Sequence, residues 1–197
     1  IYFGCSSFLG GEKMSIQIYI LSKLMEGDSY PYQLKKGLSE PVPFDKIANI
    51  TESKLYYHFE SLVKQGLITS TEIIKEDNRP DKHLYSITDK GRTALPKKIY
   101  EVFEKATKMA EVIIGLMFVK HVEVEKVVTL IQAKKLDLEK KREKLALVYD
   151  NMHTPKSMEA HVNLANDYLS DSLKREIEWF QRVIELLQNE NNGDYTE

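Results

Sequence analysis

The stretch from Thr51 to Ile68 reads TESKLYYHFESLVKQGLI, and the arrangement of the whole chain turns on how it folds. Indexed at about 100° per residue, Leu55, Phe59, Leu62 and Val63 share one apolar sector, while Ser53, Lys54, Tyr57, Ser61 and Lys64 point the opposite way. Thr51 is placed to N-cap this helix, and Glu52 suits its positive end. Gly66 ends it, ahead of the strand-like Leu67-Ile68-Thr69. A face of small polar, basic and phenolic groups is able to hydrogen-bond bases and phosphates. The bland reading is a solvated surface, since exposed polar faces are the rule.

Upstream, Ile16, Ile20, Leu21, Leu24 and Met25 recur at helical spacing between Ser15 and Gly27, which predicts a first core helix. Pro31 opens a second, short helix over PYQLKKGL, where its missing N–H is harmless. Pro41 and Pro43 end it, and Phe44, Ile47 and Ile50 bury the link to Thr51. Downstream the pattern becomes β-like over residues 69–75, and a polar turn, EDNRPDK, leads into HLYSIT, which predicts a hairpin. Three helices followed by a hairpin is the order of a winged helix-turn-helix, whose third helix enters the major groove. Arg79 and Lys82 fall at the hairpin tip, with Lys75 and His83 on its shoulders.

A further helical region starts near Thr88 and should be capped or kinked at Pro96. Its apolar stripe continues through Ile99, Val102, Phe103, Ala106, Met109, Ala110, Ile113 and Ile114. From about Val124 to Met152, Val124, Ile131, Leu138, Leu145 and Met152 keep a seven-residue spacing, interrupted in the second row by Lys135 and Arg142. A last helix runs from an N-cap at Ser157 to about Asn189, with Val162, Ala165, Leu169, Leu173, Ile177, Phe180, Ile184 and Leu187 on one face. Helices of roughly 30 residues span about 45 Å, more than a small winged-helix domain covers. A second copy of the same helix pair is the simplest partner, giving a homodimer. The expected division is a leader over 1–13, read as a cloning remnant, an upstream-translated tail or an arm packing on a partner, then a DNA-binding domain over 14–92 and a dimerising helical domain over 93–197.

The formal net charge is −2, and residues 14–92 carry as many Lys and Arg as Asp and Glu. Any affinity for nucleic acid must therefore come from local placement and from doubling in a dimer. One cysteine, Cys5, excludes an intrachain disulfide framework and fits a reducing compartment. No run approaches the roughly 20 apolar residues of a membrane span, so a soluble, cytoplasmic protein without membrane contact is expected.

The residues also resemble a known family, the PadR-type transcriptional regulators. The family pattern S-x-x-S-L-Y-x-x-L-x-x-L-x-x-x-G-L-I aligns without gaps on TESKLYYHFESLVKQGLI, matching at Leu55, Tyr56, Leu62, Gly66, Leu67 and Ile68. The stretch NRPDKHLYSITDKG, from Asn78 to Gly91, resembles the wing pattern G-R-P-x-K-x-Y-x-[LI]-T-x-x-G, with one residue more between Lys82 and Tyr85. ILSKLMEGDSYPYQLKKGL resembles the first two helices, and DYLSDSLKREIEWFQRVIELL the last helix of a longer subgroup whose helical domain also occurs in virulence-gene activators. The chain departs from the family at Tyr57, where Pro is frequent, at Lys54, where a small residue is, and at Asn78, where Gly is.

The resemblance implies a mainly α fold, an N-terminal winged helix-turn-helix with a β-hairpin wing followed by long dimerising helices. It implies a regulator, by expectation a repressor, that binds a palindromic double-stranded operator as a homodimer. The residues expected at DNA are Thr51, Ser53, Lys54, Tyr56, Tyr57, Ser61 and Lys64 on the helix, and Lys75, Arg79 and Lys82 on the wing. It also makes a small aromatic effector conceivable, for which Phe103, Phe118, Trp179 and Phe180 are candidate contacts, although aromatics at helical spacing are more often core. His58, His83, His121, His153 and His161 are too dispersed for a metal site, and no cofactor is implied. No phosphate loop, nucleophile elbow or catalytic carboxylate pair suggests an enzyme. The rival reading is a winged helix that binds protein instead of DNA, motivated by the absence of net positive charge.

Overall fold

The computed structural model describes residues 6–38, 51–74, 82–106 and 109–192, and it forms two compact units, residues 1–122 and 123–197. The first unit is built round α1 (Ser6–Glu26), in which every residue from Ile16 to Ser22 is buried. A helix buried on all sides lies at the centre of a fold. The helix begins nine residues ahead of the expected Ser15, taking in the second half of the leader. Once a helix is nucleated, each added residue gains a hydrogen bond at little further cost, even through Gly10 and Gly11. Met25, expected in the core, is exposed near the helix end, where its sulfur accepts from Arg92 Nη1 at 3.4 Å.

Helix α2 (Pro31–Gly37) starts on its proline, and the Gln33 side chain accepts the Tyr30 N–H at 3.1 Å. The Tyr19 hydroxyl reaches across from α1 and donates to Leu34 O at 2.7 Å, tying the two helices. The link through Phe44, Ile47 and Ile50 lies outside the described residues. Helix α3 (Glu52–Lys64) follows, and Gly66, with φ of 70°, ends the turn behind it in the left-handed region that a glycine enters without penalty.

Strands β1 (Ile68–Ile74) and β2 (Lys82–Ile87) form an antiparallel hairpin, in register from Ile68↔Ile87 to Ile74↔Lys82, with a bulge between Ser70 and Glu72. Ser29, between α1 and α2, pairs with Tyr85 through both backbone hydrogen bonds at 3.1 Å. The inner edge of β2 is thereby covered.

Helix α4 (Asp89–Lys105) is locked to the α3–β1 turn by Thr88. Its hydroxyl donates toward Gly66 O at 2.8 Å and Leu67 O at 3.1 Å, and accepts the Gly91 N–H at 3.0 Å as an N-cap. A Cβ on Gly91 would stand 2.0 Å from Leu67 O, so the backbones approach this closely only because residue 91 has no side chain. The helix passes through Pro96 without ending, with Leu95 and Ile99 buried on either side of it. The break comes instead at Ala106, where ψ is 126°, and α5 (Met109–Leu116) follows. Phe103 packs where a Cβ of Gly115 would be, its ring atoms 2.8–3.2 Å from that position. A 3₁₀ turn (Val119–His121) closes the unit, which therefore extends well beyond the boundary expected at 92, because α4 lays Leu95, Ile99, Val102 and Phe103 in the same core.

The second unit is a helix pair, α6 (Val124–Asp150) and α7 (Glu159–Asn192), joined also by Tyr149 OH donating to Asn163 Oδ1 at 2.7 Å. Ser157 precedes the start of α7 and does not cap it. The seven-residue seam is uneven: Ile131 is buried, Val124, Leu138 and Leu145 are half-buried, and Met152 is exposed, while Val127 and Val128 are buried beside it. On α7, Leu173, Ile177, Phe180, Ile184 and Leu187 are buried, whereas Leu164, Tyr168 and Leu169 on the earlier turns are open. The architecture is mainly helical, with a two-stranded hairpin and long C-terminal helices.

Candidate nucleic-acid interface

Helix α3 owes its position to three attachments. At its start the Thr51 hydroxyl accepts the Lys54 N–H at 3.4 Å, and Lys35 of α2 pairs with Glu52. At its end Lys90 Nζ donates to Gln65 O at 2.7 Å, a cation on the negative pole of the helix. Its middle is tied to α1 and α4 through the buried Gln17, which accepts from Lys98 Nζ at 2.9 Å and donates to Ser61 Oγ at 3.5 Å.

The buried residues of α3 are Leu55, His58, Phe59 and Leu62. Measured from their mean direction at about 100° per residue, the outward centre falls between Ser53 and Lys64, with Tyr57 and Glu60 about 30° to either side. Val63, expected in the apolar sector, lies about a quarter turn from the buried centre and is 41% exposed, while His58, nearer that centre, is only 5% exposed.

Of the residues expected at DNA, Thr51, Ser53 and Lys64 are exposed, Tyr56 is 43% and Tyr57 60% exposed, and Lys54 is half-buried. Ser61 is half-buried and occupied, since Gln65 Nε2 also donates to its hydroxyl at 3.0 Å. Lys75 and Arg79 lie outside the described residues. Lys82 pairs with Ile74 in the hairpin, and its side chain is outside them too. Tyr85 stacks obliquely on Phe59, ring centres 4.8 Å apart, and so seats the hairpin against α3. Burial, then the charges of Glu60 and Tyr56, push the Tyr85 phenol up, leaving it a protonated donor.

Glu60 went unrecognised in the sequence. Helical indexing alone puts it near the outward centre, but a search for groups that approach phosphate passes over a carboxylate. No cation among the described residues pairs with it.

The family model for the PadR-like transcriptional regulators matches residues 20–97, from the middle of α1 to the middle of α4. Over this segment the chain is similar to the PadR-like family, and the helices and hairpin there have the order of a winged helix. Solved structures with similar chains include Bacillus subtilis PadR in complex with operator DNA, at 17% identity and a TM-score of 0.37, covering 87% of this chain and 98% of that one. Another is B. subtilis PadR with p-coumaric acid, at 16% identity, a TM-score of 0.37 and coverage of 88% and 99%. A third is smu.1604c from Streptococcus mutans UA159, at 20% identity, a TM-score of 0.38 and coverage of 89% and 98%. No curated protein matches the chain.

Among the four aromatic candidates for an effector, Phe103 and Phe118 are buried in the first unit. Phe180 is buried in the second, where Trp179 is half exposed with Arg182 over its ring at 5.4 Å. No group of three His, Cys, Asp or Glu side chains among the described residues is placed to hold a metal ion. No helix among them is long and apolar enough to cross a membrane.

Proposed function

We propose that this PadR-like chain is a cytoplasmic transcriptional repressor that binds a palindromic operator as a homodimer. In this reading α3 enters the major groove, the hairpin contacts the flanking backbone, and a small aromatic effector releases the DNA. The observation that carries it is the outward face of α3: Ser53, Tyr57 and Lys64 stand exposed on a helix capped, paired and buried on its other side, within the segment that matches a family of transcriptional regulators. Support for a second copy comes from the large apolar side chains left open on the helix pair, among them Leu147, Val148, Leu164 and Tyr168.

Fluorescence anisotropy with duplexes from upstream of the chain's own gene tests the DNA reading. Affinity should fall linearly with the logarithm of salt concentration, with a slope set by the number of phosphates neutralised. If no such duplex binds at low salt, the protein-binding alternative takes its place, in keeping with the balanced charge of residues 14–92.

A further inference from the structure

We infer that Glu60 is a specificity-determining residue that selects a cytosine in each operator half-site; the inference rests on the DNA reading proposed above. Glu60 is exposed in the third turn of α3, close to the centre of the outward face and between the exposed Tyr56, Tyr57 and Lys64. Its carboxylate makes no ion pair with Lys64, one turn on, or with any other cation among the described residues. Its influence on the Tyr85 phenol places it toward the hairpin side of the helix.

A carboxylate brought against a duplex is repelled by phosphate and is an acceptor only. In the major groove most exposed base atoms are themselves acceptors: N7 and O6 of guanine, N7 of adenine and O4 of thymine. Donors are offered only by the amino groups of cytosine and adenine, and adenine sets its N7 acceptor beside its donor. Cytosine N4–H₂ is thus the base group that best satisfies Glu60. A neighbouring positive charge at Lys64 is placed to take a phosphate, so the two side chains divide the work between selecting and holding.

The test is selection of bound duplexes from random DNA with the full-length chain and with Glu60→Gln and Glu60→Ala. The wild type should show one cytosine per half-site, preferred by about fivefold to tenfold over other bases at that position. Glu60→Gln, which carries both donor and acceptor, should move the preference at that position to adenine, and Glu60→Ala should flatten it. Uniformly tighter binding to all duplexes, with every base preference unchanged, is what removal of an idle negative charge produces, and it would overturn the assignment while leaving the DNA reading intact. If the wild type selects no duplex at all, the DNA reading fails and the assignment falls with it.

Discussion

Gly91→Ala tests the physical account of how the α3–β1 turn is fixed against α4. The added methyl would stand 2.0 Å from Leu67 O and 2.7 Å from Ile87 Cγ1, where ordinary contact begins near 3.4 Å. The carbonyl belongs to backbone already pinned by the Thr88 N–H at 3.1 Å, so the start of α4 must move away from the α3–β1 turn. Overpacking of this kind costs about 1–3 kcal/mol. Stretching the Thr88 hydroxyl bonds adds about 1 kcal/mol. The better helix propensity of alanine returns about 1 kcal/mol. The net is a loss of about 2 kcal/mol, which at a slope of about 2 kcal/mol per molar urea lowers the midpoint by about 1 M. Eight of the eleven tyrosines lie in the first unit, so near-ultraviolet circular dichroism in the tyrosine band follows its unfolding. Trp179, the chain's one tryptophan, reports on the second unit through its fluorescence. A tyrosine midpoint within about 0.2 M of wild type would refute the claim that the absent side chain sets this approach.

Tyr19 gives the fold an alkaline limit. Burial, and secondarily the charge of Glu26, push its phenol up to about 12, above the value near 10 of an unfolded chain. The stability it contributes is complete below about pH 10 and is lost as pH rises toward 12, so Tyr19→Phe should show a flatter loss of stability across that window. An equal slope in both proteins counts against it. Lys64→Ala should weaken binding to all duplexes alike and reduce the salt slope by about one. A loss confined to particular sequences would mean that Lys64 reads bases.

Local signals in the sequence proved sufficient where local chemistry decides. Thr51 and Gly66 bracket α3 because capping and left-handed backbone depend on neighbours within a turn, and the alternation on either side of residues 75–81 marks the hairpin for the same reason. What stayed hidden depends on elements far apart in the chain. Periodicity makes Gln17 and His58 polar intruders on apolar helices, yet both are buried, Gln17 because it bridges α3 and α4. Val63 and Met25 look like core and are exposed, Val63 because it lies a quarter turn from the buried centre of α3 and Met25 because it sits near the end of α1. Pro96 reads as a cap or a kink, and it does not end the helix, whose flanking residues are buried, while Ala106 gives no sign that the chain turns there. At the candidate site the polar face was legible, whereas the occupation of Ser61, and the lack of a cation beside Glu60 among the described residues, required the fold.

The pairing of Ser29 with Tyr85 has a mechanical consequence. A hairpin fastened on one side to the α1–α2 joint by two backbone bonds, and seated through Tyr85 on Phe59, works as a lever with its fulcrum at Tyr85. Force applied at the far end of β1 or β2 is delivered to α3 and to the α1–α2 joint together.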